Sequence, residues 1–298
     1  MYERILVPLD GSDLAETALP YSEELAGTLG SDIRIIHVSE AYDDKSDHMH
    51  QLYMDNMIEA IRSGAQKYTE ASGRKEVNVG SVQLYGHAAE QIVDYADREK
   101  NSLIVMATHG QSGIRRWLLG SVATKVVMAA KQPVMLVRAQ EATRKVNDKR
   151  KLRKVLVPLD GSKESEAIIP HIRELVSKLK AEVVLLQVIA PDHFGYSFSE
   201  EAAFVSPNPQ QMETIMTKYK SYLETVGVIL RDRGIKTEWG VVFGIPAEAI
   251  ISTADSVQAD LVAMSTHGLS GIGRWALGST ANKVLHAGST PVLLVRPH

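Results

Sequence analysis

One pattern occurs twice in this chain and limits what it can fold into more than any other feature. The pattern T-H-G-x-S-G-I-x-R-W-x-L-G-S runs from Thr108 to Ser121 and again from Thr266 to Ser279. From Met106 to Lys125, fourteen of twenty positions are identical to the second copy. Each copy follows a short apolar run and leads into a helical pattern. Each is therefore predicted to be a strand, a glycine-containing loop and the start of a helix.

A second matching segment shows that a whole domain is repeated. The sequence I-L-V-P-L-D-G-S at residues 5–12 returns as V-L-V-P-L-D-G-S at residues 155–162, with seven of eight positions identical. This pair is offset by 150 residues and the glycine loops by 158, so the second repeat holds a net eight extra residues. A period of this length is typical of a duplicated domain and not of a solenoid. We predict domains at residues 1–139 and 153–298, joined by a polar, basic linker at 140–152.

Strands and helices alternate within each repeat. The strands predicted for the first repeat are Arg4–Leu9, Ile33–Val38, Val77–Leu84, Leu103–Ala107 and Val134–Arg138, and the helices are Leu14–Leu29, Leu52–Ala71, Ala88–Glu99 and Ser121–Ala130. This alternation predicts an α/β fold with a parallel sheet covered by helices on both faces. Two segments lack a periodic pattern, Ser39–Gln51 and Ala190–Gln211. Each follows a second strand and is predicted to be either a lid or a disordered loop.

The composition argues against several classes of partner and location. A net charge of −3 gives no broad attraction to nucleic acid or to an anionic membrane, so neither is expected as a partner. The absence of cysteine excludes disulfides and thiolate metal sites and agrees with a reducing compartment. No apolar stretch reaches the length of a membrane span, and the chain begins directly in a strand pattern. We therefore expect a cytoplasmic protein without a secretory leader.

The glycine loop and the helix that follows it predict a site for an anion. Glycine allows the backbone to approach an anion closely, and the amides of a helix N-terminus favour negative charge. The predicted phosphate cradle consists of Gly110, Gly120 and Ser121 in the first repeat, and of Gly268, Gly278 and Ser279 in the second. The backbone amides at Gly120 and Gly278 are expected to receive the anion. The alternative is that these glycines only permit tight loops and close helix packing.

An aspartate ends the first strand of each repeat. Ligands of open α/β sheets bind beyond the carboxyl ends of the strands, where Asp10 and Asp160 are predicted to lie. Their carboxylates could accept hydrogen bonds from ribose hydroxyls or an adenine amine, or help to hold Mg²⁺. The alternative is that Asp-Gly-Ser is only a turn with a helix cap.

Neither the histidines of the loop nor any known motif indicates a catalytic site. His109 and His267 have no serine, cysteine or carboxylate partner at a fixed spacing, so we interpret both as turn residues close to the ligand. The sequence contains no G-x-x-x-x-G-K-[ST] loop and no G-x-S-x-G elbow. It also lacks G-x-G-x-x-G after the first strand and any zinc-ligand spacing.

The P-L-D-G-S strand end, the T-H-G-x-S-G loop and the final P-V-x-L-V-R resemble the universal stress protein family in its tandem two-domain form. The resemblance covers nearly the whole chain. It implies two flavodoxin-like domains, similar to adenine nucleotide alpha hydrolases, each with a five-stranded parallel sheet. It also implies that the last strands, Pro133–Arg138 and Pro291–Arg296, pair with each other to make an internal pseudo-dimer.

The same resemblance implies the ligand and its contacts. Members that bind ATP carry G-x-x-G, nine residues, then G-[ST]; Gly110 and Gly120 keep this spacing, whereas Ala107 and Ser265 replace the first glycine. The implied contacts are Pro8, Leu9, Asp10, Val38, Met106, His109, Gly110, Gly120, Ser121 and Val122 in the first repeat, and Pro158, Leu159, Asp160, Val188, Met264, His267, Gly268, Gly278, Ser279 and Thr280 in the second.

The function expected from these features is ATP binding, with Mg²⁺ as the accompanying ion, in a stress-response or regulatory role. The nucleotide is expected to act as a ligand or switch, with at most slow hydrolysis, because no residue is positioned as a general base. One alternative is an interaction protein whose pockets are vestigial. Another is an enzyme that turns nucleotide over. A homodimer of whole chains also remains open.

Overall fold

The structure, a computed structural model, describes residues 2–42, 44–74, 76–109, 119–138, 152–190, 209–268 and 277–297. Its internal contacts divide into two compact units. The first contains Met1–Leu152 and Pro291–Arg296, and the second contains Arg153–Gly271 and Gly278–Thr290. Of the linker predicted at 140–152, only Leu152 lies among the described residues, so the predicted domain boundaries stay a prediction.

The first unit alternates strands and helices in the predicted order. Its strands are β1 (Arg4–Pro8), β2 (Asp32–Ser39), β3 (Val79–Tyr85), β4 (Ser102–Ala107) and β5 (Val134–Val137). Its helices are α1 (Asp13–Glu16), α2 (Leu19–Leu29), α3 (Asp44–Gln66), α4 (Thr69–Ser72), α5 (Ala88–Arg98) and α6 (Ser121–Ala129). Strand β10 (Val292–Val295), the last strand of the second repeat, is also grouped with this unit.

The sheet of the first unit follows the order β3-β2-β1-β4-β5, with every neighbouring pair parallel. Strand β1 lies in the middle, and its residues 5–8 are buried because helices cover both faces. Strand β10 adds antiparallel beside β5, with Val292 opposite Leu136 and Leu294 opposite Val134. The pairing of the two last strands, implied by the resemblance, is thus confirmed. It covers an edge of β5 that would otherwise expose unpaired backbone groups.

The second unit repeats the same succession of elements. Its strands are β6 (Lys154–Leu159), β7 (Glu182–Ile189), β8 (Thr237–Phe243) and β9 (Leu261–Ser265), in the order β9-β6-β7-β8 with parallel neighbours. Its helices are α7 (Lys163–Glu166), α8 (Ile169–Leu179), α9 (Pro209–Arg231), α10 (Pro246–Ser256) and α11 (Ser279–Ala287). The predicted α/β fold is confirmed in both repeats.

The helix predicted over Leu14–Leu29 is broken in the structure. It forms α1 and α2, which are separated by Thr17 and Ala18. Pro20 lies at the start of α2, where its missing N–H costs nothing; inside one continuous helix its ring would clash with the carbonyl four residues earlier. The second repeat breaks in the same way before Pro170.

The segment Ser39–Gln51 is not irregular throughout, because α3 begins at Asp44. Met49 and Leu52 are largely exposed, at 70% and 52%, so this part of the helix carries no buried apolar stripe that a sequence pattern could show. The corresponding segment Ala190–Gln211 lies mostly outside the described residues. Its last part belongs to α9, which begins at Pro209. Within the described residues, no helix has both the length and the apolar character needed to span a bilayer.

Candidate functional site

A cavity of about 410 Å³ lies at the carboxyl ends of the strands in the first unit. Nine of the ten residues predicted for the first repeat line it: Pro8, Leu9, Asp10, Val38, Met106, His109, Gly120, Ser121 and Val122. The tenth, Gly110, lies outside the described residues. The cavity has the size of a small-molecule site, which is commonly about 300–1,000 Å³. The structure thus gathers residues from β1, β2, β4 and α6 around one space.

Asp10 is held in place by the turn that follows it. Its Oδ1 atom accepts hydrogen bonds from the backbone N–H of Ser12 at 3.1 Å and from the Ser12 hydroxyl at 2.6 Å. Ser12 in turn caps α1 by accepting from the N–H of Ala15 at 3.2 Å. The turn-and-cap reading of Asp-Gly-Ser is therefore correct. It is compatible with a binding role, because Asp10 also lines the cavity.

The helix α6 presents its first turn to the cavity. Its N-cap, Gly120, supplies no capping side chain, and Thr124 N–H makes the hydrogen bond to the Gly120 carbonyl at 2.9 Å. The N–H groups of Ser121 and Val122 precede that bond, as expected for the orphan donors of a helix start. Both residues line the cavity. This end of the cavity has the donors and the dipole direction that suit an anion.

The amide of Gly120 itself is not available to a ligand, and here the prediction was wrong. Gly120 N–H donates to the Thr108 carbonyl at 2.8 Å, and Gly278 N–H donates to Thr266 at 2.8 Å. A Cβ at Gly120 would lie 2.9 Å from the Thr108 oxygen. Glycine is needed there for a close approach between backbones, so the anion-binding amides shift by one residue to Ser121 and Val122.

The backbone of Val38 faces the cavity at the end of β2. The carbonyl of Ile36 accepts from Leu9 N–H on the β1 side, while the carbonyl of Ser39 accepts from Gly86 N–H on the β3 side. Because backbone groups alternate sides along a strand, the N–H and C=O of Val38 point to the β1 side, beyond the last β1 partner, Pro8. The Val38 N–H donor and C=O acceptor thus lie side by side. They match the ring nitrogen acceptor and the amino donor on one edge of adenine.

His109 lies at the end of β4 with its ring oriented by a neighbour. Its Nδ1 atom is 3.0 Å from the Thr108 hydroxyl, and its Nε2 atom is buried. Burial lowers the pKa of His109, and the positive charge of Arg138 lowers it further. The imidazole is therefore held neutral near pH 7.

Sequence reasoning missed several residues of the cavity. The charged one is Glu40, which is exposed and lies two residues after Val38. The others are apolar, namely Ala15, Ile36, Ala88, Ile92 and Ala123, whereas Ala107 and Thr108, which also line the cavity, belong to the motif that the sequence showed. The apolar positions are ordinary core residues in the sequence, and Glu40 falls in the segment predicted to be a loop. No local signal distinguishes them, since only the convergence of β2, α5 and α6 makes them neighbours.

A tyrosine on α3 also reaches the Asp10 turn. The Tyr53 hydroxyl donates to Glu16 Oε1 on α1 at 2.8 Å. Burial raises the pKa of Tyr53, and the nearby carboxylates of Glu16, Asp10 and Asp13 raise it further. In the second repeat, burial and then Glu166 raise the pKa of Tyr222. Each long helix thus brings a protonated tyrosine close to the turn that bears the aspartate.

The second repeat builds the same local features. Asp160 Oδ1 accepts from Ser162 N–H at 3.0 Å and from the Ser162 hydroxyl at 2.5 Å. A Cβ at Gly268 would lie 2.0 Å from Asp160 Oδ2, so the glycine loop and the aspartate are close neighbours. The remaining predicted residues follow the first repeat: Pro158 and Leu159 end β6, Val188 lies on β7, Met264 on β9, His267 after β9, and Gly278, Ser279 and Thr280 at the start of α11.

The arrangement can now be compared with known proteins. The family model described as the universal stress protein family matches residues 1–138 and 151–296. The chain belongs to this family. Two universal stress protein domains therefore account for both repeats.

Among the residues that the structure describes, no group of three or more His, Asp or Glu side chains is arranged to hold a metal ion.

Curated relatives match one repeat or both. Universal stress protein MJ0531 of Methanocaldococcus jannaschii is 30% identical over 141 residues, which cover 46% of this chain and 83% of that protein. Universal stress protein Slr1230 of Synechocystis is 23% identical over 319 residues, which cover 99% of this chain and 100% of that protein. The similarity to this second relative therefore extends over both repeats.

A solved structure matches the whole chain as well. A universal stress protein from Archaeoglobus fulgidus aligns with a TM-score of 0.67 at 19% identity and covers 99% of both chains. At this identity the likeness shows the fold alone.

Proposed function

We propose that this universal stress protein binds an adenine nucleotide at the first-unit cavity, and a second one at the matching positions of the second repeat. One observation carries the proposal: a single cavity joins the backbone edge of Val38 beyond Pro8, the carboxylate of Asp10 and the first turn of α6. These three features can supply partners for a base, a ribose and a phosphate.

The charges of the cavity support an orientation for the ligand. Asp10 and Glu40 are acceptors and suit hydroxyl or amine donors. The amides of Ser121 and Val122 are donors and suit an anion. A nucleotide has the same polarity, with hydroxyls on its ribose and negative charge on its phosphates.

The nucleotide is proposed as a ligand or switch in a stress-response role, without rapid turnover. Among the residues that the structure describes, His109 Nδ1 contacts a threonine hydroxyl and no carboxylate, which is the partner that activates a histidine base. Magnesium commonly binds through one or two carboxylates together with substrate phosphates. Asp10 would hold it in that case, with the remaining positions left to the nucleotide and water. The proposed location is the cytoplasm, as expected for a cysteine-free sequence.

The test is isothermal titration of the full chain with ATP, comparing the wild type with Asp10→Asn. Asparagine keeps an acceptor oxygen for Ser12 but loses the charge. We expect affinity at the first site to fall by about 10- to 100-fold, the value of hydrogen bonds to a charged group. Glu70→Gln, at an exposed position of α4, is the matched control and should bind as the wild type does.

Absence of binding by the wild type would contradict the proposal and favour an interaction protein with vestigial pockets. Steady-state phosphate release well above the background would instead indicate an enzyme. Unchanged binding in Asp10→Asn would show that the nucleotide lies elsewhere.

A further inference from the structure

One wall of the first-unit cavity is attached to the long helix α3. Leu9, Asp10 and Ala15 belong to this wall and line the cavity. Two side chains of α3, His50 and Tyr53, reach it through different partners. The helix itself contributes no residue to the described lining of the cavity. The two attachments therefore act on the site from behind the residues that would touch a ligand.

The first attachment joins α3 to α1. The Tyr53 hydroxyl donates to Glu16 Oε1 at 2.8 Å, and both side chains are half-buried. Glu16 is the last residue of α1, which begins at the N-cap Ser12, and the hydroxyl of Ser12 donates to Asp10. Burial raises the pKa of Tyr53, and the charges of Glu16 and Asp10 raise it further, so the aspartate also lies near the tyrosine. Tyr53 thus fixes the short helix whose cap holds Asp10.

The second attachment joins α3 to β2. The rings of His50 and His37 lie 4.3 Å apart between their centroids, with their planes tilted by 47°. His37 is buried, and its Nδ1 atom is 3.0 Å from the Leu9 carbonyl. A carbonyl oxygen can only accept, so Nδ1–H of His37 is the donor. Because side chains alternate along a strand, His37 points away from the cavity that its neighbours Ile36 and Val38 line.

The contact between two rings is particular to the first repeat. At the position equivalent to His37, β7 has Gln187, which is also buried. Glutamine has no ring with which an imidazole could pack. The fold of a repeat therefore forms without this attachment, and its presence in the first repeat favours a role beyond folding.

We propose that Tyr53 and His50 are positioning residues of the first nucleotide site: they hold the wall that carries Asp10, and nucleotide binding in turn stabilises the packing of α3. This inference rests on the proposed function and adds to it a coupling between the ligand site and a helix outside the site. Linkage makes the coupling reciprocal, because a helix that favours the bound geometry of Asp10 is itself favoured by the ligand.

The test compares ATP binding to Tyr53→Phe, Glu16→Gln and His50→Ala by calorimetry on the full chain. Phenylalanine removes the donor, whereas glutamine at position 16 keeps an acceptor oxygen for Tyr53. We expect the affinity of the first site to fall by about two- to tenfold in Tyr53→Phe and to stay within about twofold of the wild type in Glu16→Gln. His50→Ala removes the contact with His37 and should weaken the same site by about two- to tenfold.

Hydrogen exchange provides a readout that a merely structural role would not change. In the wild type, saturating ATP should slow amide exchange in α3 around residues 50–60 by about threefold or more. In Tyr53→Phe, saturating ATP should protect this part of α3 less, while the first turn of α6 is protected as in the wild type.

The matched control is Tyr95→Phe on α5. Tyr95 also forms a hydrogen bond with a glutamate, Glu99, and it lies near Arg4. Arg4 begins β1, so this pair lies at the opposite end of the strand from Asp10. ATP affinity and the exchange of α3 should be the same in Tyr95→Phe as in the wild type.

Several results would overturn the inference. If Tyr53→Phe has a lower melting temperature but binds ATP as the wild type does, the contact serves stability only. An equal loss of affinity in Tyr95→Phe would show a general effect of losing a buried hydroxyl. If the variants do not fold, the wild type decides: exchange of α3 that ATP leaves unchanged contradicts the coupling. A wild type that binds no adenine nucleotide overturns the proposed function itself, so the two failures are distinguishable.

Discussion

The two repeats build their candidate sites around the same turn, the same Thr–His contact and the same helix start, but several of the surrounding side chains differ. Both repeats contain the Asp-Gly-Ser turn, the Thr–His contact and the glycine N-cap. The Asp–Ser and Thr–His distances of one repeat differ by 0.1 Å or less from those of the other. Around them, four residues of the first repeat differ at the equivalent positions of the second: Glu40 is replaced by Ala190, Ala15 by Ser165, Ala107 by Ser265 and Val122 by Thr280. The second site therefore has one carboxylate fewer and three hydroxyls more.

This difference separates the features that the shared fold requires from the side chains that can change ligand affinity. In the proposed function, a helix start and a strand edge contact the common parts of a nucleotide through backbone groups, which a side-chain substitution leaves in place. The exchanged side chains lie around those groups and can change affinity without changing the fold. The two sites are thus expected to accept one class of ligand with unequal affinities.

The largest effect is expected from Gly268→Ala in the second repeat. Its Cβ would lie 2.0 Å from Asp160 Oδ2, and Asp160 is held by Ser162, so the carboxylate must be displaced. We expect ATP binding at the second site to weaken by about tenfold or more, the cost of one charge-assisted hydrogen bond, while the first site is unaffected. Calorimetry should show the change as a loss of one of two binding events.

The control for this variant is Gly240→Ala on β8. Nothing lies within 4 Å of a Cβ at that position. Two unchanged binding events in Gly268→Ala would show that Asp160 takes no part in the second site.

A smaller effect is expected from Glu40→Gln in the first repeat. Glu40 is exposed, so a hydrogen bond that it accepts is worth less than one that Asp10 accepts, and the affinity for adenosine should fall by about two- to tenfold. The first site would then resemble the second, which has Ala190 there. If Glu40 accepts from the ribose 2′-hydroxyl, Glu40→Gln should lower the affinity for adenosine more than the affinity for 2′-deoxyadenosine, as measured by competition with ATP. An equal loss of affinity for both nucleosides would show that Glu40 does not contact that hydroxyl.

The smallest effect concerns stability and pH at another pair of equivalent positions, Glu23 and Arg173. Burial raises the pKa of Glu23 to about 7, although Lys67 opposes the shift, and the carboxyl packs against Gly64 of α3. Protonation is favoured in the folded state, so this contribution to stability is complete below the ordinary pKa of 4.5 and is lost as the pH rises through about 7. Glu23→Gln should therefore raise the melting temperature at pH 8 and leave it unchanged at pH 4.

Thermal unfolding at both pH values measures this effect. Arg173→Gln removes no buried carboxyl and is the matched control. A melting temperature of Glu23→Gln that follows the wild type at every pH would show that Glu23 is hydrated in the folded state.

The sequence by itself determined the duplication, the α/β class and most of the site. Repeated motifs and apolar runs are local signals, and β1, β4 and α6 each begin or end within two residues of the predicted bounds. Asp10 and Ser121 were found because one follows a recognisable strand and the other begins a recognisable helix, whereas Val38 and Met106 came from the family resemblance. These features depend on neighbours along the chain, which a sequence shows directly.

The tertiary structure alone decided which groups meet. It placed Glu40, Ala88 and Ile92 in the cavity. It also showed that Gly120 N–H donates to the Thr108 carbonyl, so the N–H groups that remain for an anion begin one residue further into α6. The physical reason is that a backbone N–H binds whichever acceptor folding brings within about 3 Å. That acceptor comes from another part of the chain, which no local pattern records.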